Sequence, residues 1–410
     1  MTVQQTTRRT ILTATGAAIA LAACGGGGSD FSNPTPAPAP TPAQPPAPGP
    51  GPSMPARPAI ADSSIPRLRG LGVQPQKELV DVTSAVFKRY QYVDDSGCNV
   101  LRLFMQPWDF VSGAPILPAS PLMERVQEDL KQWSQLIPWA LERNIRVVLT
   151  MDLSIGWPLQ ATWPENIRSF WRDADAQREF VAAWVALAKQ FKGKPGIVFD
   201  LLNEPHGVVP EDVDGNHQWP KRVWNQLYPK AIEAIRAVES DRWIMVEPIW
   251  GAPDNFADLV HVNMPRLLYS FHFYSPHEFT YQGTGEWSAS RGITYPGRAQ
   301  SDRWSPSINW DRAQLQLSME GARAFAITYG ARMVVGELGC GREAEPESRT
   351  RWAADALGIC EELGFDWLFF RFEGWGVSEE FHHGWALENS PKLEPLVLDY
   401  FAKNKVAGAG

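Results

Sequence analysis

At 410 residues with 44% hydrophobic side chains, the chain has apolar material for one large or two ordinary domains. A formal charge of −8 with 20% charged residues argues against a nucleic-acid partner, which would need a basic stripe. The eighteen Trp suit stacking on sugar faces as well as core packing, and Cys24, Cys98, Cys340 and Cys360 have neither CxxC nor other zinc spacing, so no metal, cofactor or disulfide framework is expected.

Residues 1–23 read as an export signal: Thr7-Arg8-Arg9-Thr10-Ile11-Leu12 precedes a run of small apolar residues, Ala14 to Ala23, too short to span a bilayer stably. This segment resembles a bacterial twin-arginine signal, and Leu21-Ala22-Ala23-Cys24 resembles a lipoprotein box whose Cys24 becomes the lipidated first residue. The resemblance implies a protein of the bacterial cell envelope that meets the membrane only through its lipid anchor; plain secretion is the alternative. Residues 24–58 read as a Gly- and Pro-rich tether, in which the run from Pro34 to Pro55 favours polyproline II and a reach on the order of 70 Å.

Residues 59–410 alternate short apolar runs with amphipathic helices, the pattern of βα units around a parallel sheet. Strands are predicted near Leu68–Val73, Asn99–Phe104, Ile145–Asp152, Ile197–Leu202, Trp243–Val246, Leu267–Phe273, Arg332–Gly336 and Asp366–Phe372. Between them, Val126, Leu130, Trp133 and Ile137 space one buried helical stripe, and Phe180, Trp184, Leu187 and Phe191 another. Gly364 stands where a helix C-cap belongs, just before the last strand. Eight such units predict an α/β fold, a (β/α)8 TIM barrel, in which catalytic groups gather at the C-terminal ends of the strands. Those ends carry Arg102, Asp152, Glu204, Glu247, His272 with Tyr274, Glu337, and Arg371 through Trp375.

The most informative stretch is Ile197 to His206. An apolar run broken only by Asp200 leads into Asn203-Glu204, and Pro205 withholds the next ladder hydrogen bond. An ionised Glu at the end of a buried strand is costly unless paired or partly wet, and Met333-Val334-Val335-Gly336-Glu337 repeats the arrangement downstream. Two strands ending on Glu are what paired-carboxylate cleavage of a glycosidic bond requires.

Asn203-Glu204-Pro205, Glu337, His272-Phe273-Tyr274 and Asn99-Val100-Leu101-Arg102-Leu103 together resemble glycoside hydrolase family 5, the cellulase family, from Arg67 to about Trp385. The resemblance implies that Glu204 is the general acid/base and Glu337 the nucleophile of a retaining double displacement, which the residues alone leave unassigned. It further implies that Arg102 and Tyr274 hold Glu337 ionised, that Asn203 bonds the sugar 2-hydroxyl, and that His272 orients the site or touches the sugar. Glu204 would then need a raised pKa and Glu337 a depressed one. Two departures bear on substrate: Asp152-Leu153-Ser154 stands where many members carry a His, and the eighth strand offers Trp375, with Phe370 as rival, as the sugar platform. Trp108, Trp157 and Trp250 are further candidates to line the groove. Asp212 to Asn216 reads as a polar turn rather than a calcium loop, and Glu379 to His383 as a solvated loop rather than a metal site.

The expected activity is hydrolysis of a β-linked polysaccharide, foremost as an endo-β-1,4-glucanase, by a monomer. A β-mannanase or transglycosylase on the same site, or a non-catalytic sugar-binding barrel, are the alternatives.

Overall fold

The chain divides into two units, residues 1–55 and 56–410. The computed structural model describes residues 65–73, 93–105, 108–109, 114–115, 122–152, 170–206, 218–371 and 390–407, all in the second unit. Cys24, Trp157 and Trp375 lie outside them, as do the predicted signal and tether, 212–216 and 379–383.

Eight strands close one parallel barrel: β1 (Arg69–Val73), β2 (Val100–Met105), β3 (Arg146–Met151), β4 (Ile197–Asp200), β5 (Trp243–Val246), β6 (Leu267–Phe273), β7 (Arg332–Leu338) and β8 (Asp366–Phe369). Each pairs with the next in chain order, and β8 returns to β1 with Arg69 opposite Trp367. The (β/α)8 expectation and its eight strand positions hold.

Side chains alternate across each strand, so the barrel interior is filled in layers. Its lower layer is apolar: Val100, Val148, Val198, Met245, Leu268, Val334 and Leu368 form one buried cluster. Two residues further along the same strands stand Arg102, Thr150, Asp200, Glu247, Ser270 and Gly336, all buried. One step of the pleat therefore turns a hydrocarbon core into a polar floor under the barrel mouth.

Outside the strands, helices α1 (Leu122–Gln132), α2 (Leu136–Glu142), α3 (Ala174–Gln190), α4 (Gln218–Val238), α5 (Arg312–Leu317), α6 (Glu320–Tyr329), α7 (Pro346–Leu363) and α8 (Leu393–Ala407) surround the sheet. Helix α3 starts because the Asp173 carboxylate accepts from the N–H of Asp175 and Ala176, and it buries Phe180, Ala183, Trp184 and Leu187 at helical spacing. Gly364 ends α7 at φ 73°, the left-handed cap expected for it. The predicted stripe from Val126 to Ile137 is buried throughout, but the helix breaks between α1 and α2. Pro138 has no N–H to offer the carbonyl of Ser134, so the turn there tightens into Trp133 N–H to Leu130 O and Ser134 N–H to Lys131 O bonds.

Much of the Trp surplus is structural. Trp133 donates its indole N–H to Phe104 O at 3.0 Å, Trp184 to Leu201 O at 3.2 Å, Trp224 to Glu247 O at 2.8 Å and Trp352 to Ser275 O at 2.9 Å. These carbonyls lie at or just past the C-terminal ends of β2, β4, β5 and β6, where the ladder no longer satisfies them. Indoles from the outer layer thus supply both apolar area and the missing donor, and pin the strand ends that carry the site. Among the described residues, no helix is long and apolar enough to cross a membrane.

Candidate active site

Arg102 is the hub of the polar layer. Its guanidinium, fully buried, donates Nε to Asp200 Oδ2 at 2.8 Å, Nη1 to Glu337 Oε1 at 2.6 Å, and Nη2 to Glu247 Oε1 at 3.0 Å and Asn203 Oδ1 at 2.9 Å. Such a fork needs planar donors at fixed angles, which Lys could not supply. Because Asn203 accepts through Oδ1, its NH2 group faces away from Arg102.

Glu337 reaches the mouth through a bulge. Strict alternation along β7 places Val334 and Gly336 inward and would send Glu337 outward, but the register against β6 shifts between Val335 and Glu337. The extra residue re-aims the carboxylate, which also accepts the Tyr274 hydroxyl at 2.7 Å. Gly336 is required there: an added Cβ would lie 2.3 Å from Ser270 Oγ and 3.5 Å from Glu247 Oε1.

Glu204 sits just past β4 at φ 40°, a left-handed conformation rare outside glycine. Its own N–H donates to Glu247 Oε2 at 2.8 Å, so the β5 carboxylate stabilises the turn. His272 stands between, with Nδ1 2.7 Å from Glu204 Oε1 and 3.6 Å from Glu337 Oε2, and Nε2 3.1 Å from Glu247 Oε1. Oxygens of Glu204 and Glu337 and a His272 nitrogen all lie within 4.8 Å of one another. The same trio has the ligand types for an ion, yet Arg102 and Tyr274 already donate to Glu337, so the donor set reads as a hydrogen-bonded acid pair.

Charge is crowded here. Burial pushes Asp200 up to about 7 against the pull of Arg102, while Glu247, despite burial, is drawn down to about 2 by His272 and Arg102. Burial lowers His272, but Glu247, Glu337 and Glu204 outweigh it and hold the imidazole protonated well above its ordinary value. For the two mouth acids the directions are the reverse of those expected from the sequence. Burial raises Glu337 in spite of His272 and Arg102, whereas Glu204 ends low because the His272 cation overcomes burial. The cause is His272, which takes the proton that the expectation put on Glu204.

Of the residues singled out in the sequence, Arg102, Asn203, Glu204, His272, Tyr274 and Glu337 converge on one mouth. Trp250 joins them: at φ 61° and 40% exposed, it stacks on His206 at 4.2 Å, and its backbone N–H donates to Pro205 O at 2.8 Å. Phe370 stands edge-on to Tyr274 with ring centroids 6.4 Å apart, at the rim where the platform was expected. Glu247 was visible only as a strand-end acid, and Thr150 and Ser270 gave no signal; each matters through partners on other strands. A cleft of about 1150 Å³ begins at Glu204, His272 and Tyr274 and runs over Trp250 and Pro253 after β5 and Tyr281, Asp302, Ile308 and Trp310 after β6.

The cellulase model of glycosyl hydrolase family 5 matches residues 84–374. The chain is 26% identical over 296 residues to Endoglucanase C of Acetivibrio thermocellus, covering 67% of this chain and 80% of the relative. It is 24% identical over 232 residues to Cellodextrinase A of Ruminococcus flavefaciens, covering 55% and 62%. Among solved structures, the cellulose synthase subunit Z of Clostridioides difficile superposes with a TM-score of 0.59 at 20% identity, covering 82% of this chain and 99% of that one. Thermotoga maritima Cel5A, solved in complex with mannotriose, gives 0.56 at 19% identity, covering 82% and 97%. The family match over most of the chain, on a barrel whose mouth joins Glu204 and Glu337, makes this protein a cellulase-like glycoside hydrolase that belongs to glycosyl hydrolase family 5.

Proposed function

We propose that the chain is an endo-β-1,4-glucanase acting by retaining double displacement, with Glu204 as acid/base and Glu337 as nucleophile. The observation that carries this is the spacing of the two acids: carboxyl oxygens within 4.8 Å fit the ~5–5.5 Å of a retaining pair and leave no room for the water that an inverting pair at ~6.5–9.5 Å holds between them. The name of the Acetivibrio relative favours a glucan.

In the first step a Glu337 oxygen attacks the anomeric carbon, the glycosidic C–O bond breaks, and Glu204 gives its proton to the departing oxygen. In the second, Glu204 takes a proton from water, the water oxygen attacks the same carbon, and the bond to Glu337 breaks. Two inversions return the β configuration.

The side chains divide this labour sensibly. Glu337 is nearly buried, and Arg102 and Tyr274 donate to it, which favours the anion; the Glu204 side chain is 31% exposed and lines the cleft, where it can meet a leaving oxygen and exchange protons. Before a sugar binds, the surrounding Glu247, Glu337 and Glu204 carboxylates favour the proton on His272. A sugar that strips water from Glu204 disfavours its ionised form and draws the proton across the 2.7 Å contact. That transfer removes a cation and an anion from beside Glu337 together, leaving Arg102 and Tyr274 to keep it charged. Asn203, held through Oδ1, presents its NH2 to the 2-hydroxyl, and Trp250 with its stacked His206 floors the first unit beyond the cleaved bond.

The test compares wild type with Glu337→Gln on soluble β-glucan and an aryl β-cellobioside. Loss of at least about 10³-fold in kcat is expected for removal of a covalent nucleophile; equal turnover would refute the assignment. Glucan, mixed-linkage glucan and mannan digests separate the endoglucanase reading from a mannanase, and oligosaccharides longer than the substrate would reveal transglycosylation. We also propose export and anchoring through Cys24, supported by Leu21-Ala22-Ala23-Cys24; palmitate labelling that persists in Cys24→Ser would oppose it.

A further inference from the structure

The loop after β6 carries an antiparallel ribbon, Gly297–Ala299 with Ile308–Trp310, fixed at its root by Trp310 Nε1–H to Ala299 O at 3.1 Å and by Gln300 N–H to Glu278 Oε2 at 2.9 Å. Its tip is a stiff turn. Asp302 Oδ1 accepts the N–H of Trp304 at 2.8 Å and of Ser305 at 2.9 Å, and Gln300 Nε2–H donates to Ser305 O at 2.6 Å. A turn so bonded presents Trp304 in one place at little conformational cost, yet the indole is 79% exposed and, among the described residues, stacks on the Arg303 guanidinium, 4.2 Å from its ring centroid.

Trp304 is flanked by Asp302, Ser305 and Pro306, which wall the cleft that starts at Glu204. We infer that Trp304 is a distal sugar platform, stacking a unit of the β-linked glycan on the leaving-group side of the cleaved bond. The side follows from the donor: a proton given to the leaving oxygen comes from Glu204, so sugar beyond Glu204, over the loops after β5 and β6, leaves with that oxygen. The occupant follows from continuity, since one cleft joins the turn to the acids and its exposed apolar residues, Trp250, Ile308 and Leu317, mark the path between. The inference rests on the reading of Glu204 as the proton donor. It makes the enzyme favour long chains over short ones.

Wild type, Trp304→Ala and Trp304→Phe are compared on carboxymethyl-cellulose and on an aryl β-cellobioside, whose single-ring leaving group fills only the first position beyond the cleaved bond. In Trp304→Ala, kcat/KM on the polymer falls about five-fold or more, the low end of one aromatic stack, while the aryl rate holds and Phe restores most of the loss. An unchanged polymer rate, or an equal fall on both substrates, overturns the platform. A wild type inactive on both substrates would instead sink the assigned chemistry. Retardation of Glu337→Gln in a gel cast with the same glucan, with and without Trp304→Ala, then decides the platform alone: equal retardation refutes it.

Discussion

At the scale of residues, the site depends on a few side chains whose neighbours come from other strands. Gly336 shows this most simply. A methyl group there would come within 2.3 Å of Ser270 Oγ, so Ser270 or the bulge that turns Glu337 inward would have to shift. A shift of about 1 Å at a reacting group costs on the order of 10²-fold in rate, and Gly336→Ala is expected to lose that much kcat while circular dichroism still reports a folded barrel. His272 gives a second expectation. Its folded pKa is raised, so the stability it contributes is complete below its ordinary value near 6.5 and is lost as pH rises through the folded value. The melting temperature of wild type should therefore fall from pH 6 to pH 9, and His272→Asn, less stable at pH 6, should lose less over that interval; a steeper loss in the variant would contradict the ion-pair account. The sequence made Glu204 and Glu337 legible because each breaks an apolar run at a strand end. It could not make Glu247 legible, since its value lies in holding Arg102, His272 and the Glu204 N–H at once, three partners from three other segments of the chain.

Elements settle where those residues go. Closing a barrel requires its first and last strands to meet, and here the seam is bound by charge below the apolar layer. Arg69 forks onto Glu361 through Nε at 2.8 Å and Nη2 at 2.7 Å, and Trp367 donates to the same carboxylate at 3.0 Å. Arg332 joins Asp366 at 2.6 Å to the carbonyl of Ile65 at 3.0 Å. Burial opposes ionisation of Glu361, but Arg69 and Trp367 bring its pKa down to about 2. A depressed carboxylate adds stability above its ordinary value near 4.5 and loses it as pH falls toward 2, a contribution of at most about 3 kcal/mol. Glu361→Gln should thus be less stable than wild type at pH 6, and in urea titrations the gap should narrow by about half by pH 3 and close only toward pH 2; a gap that is constant with pH would show that the fork acts by shape alone. The strand pattern predicted all eight barrel strands because each is a short apolar run followed by a helical stripe. It predicted the β7 end two residues short, ending at Gly336 instead of Leu338, because a bulge has no periodicity to read and leaves only an isolated Gly as its mark. The break between α1 and α2 was masked by an unbroken stripe, although Pro138 foreshadows it.

For the whole molecule, the barrel separates what stabilises from what reacts. An apolar interior and an indole-rich outer layer hold the strands, and the acids stand one pleat above, facing a cleft walled by the loops after β5 and β6. This division also explains why composition misleads about the Trp: most of those described lie in the outer layer and at strand ends, while Trp250 and Trp304 face solvent beside the cleft. Substrate preference is the least legible property, because it belongs to loop residues whose positions depend on the entire fold rather than on local pattern. The proposed chemistry rests on fewer residues, since the separation of two carboxylates is what supports a retaining reaction. The most direct measurement is therefore the anomeric configuration of the sugar first released from a β-glucan oligosaccharide by wild type, read by proton NMR before mutarotation. The β anomer should accumulate first and then decay toward equilibrium; initial release of the α anomer would contradict a Glu204–Glu337 double displacement.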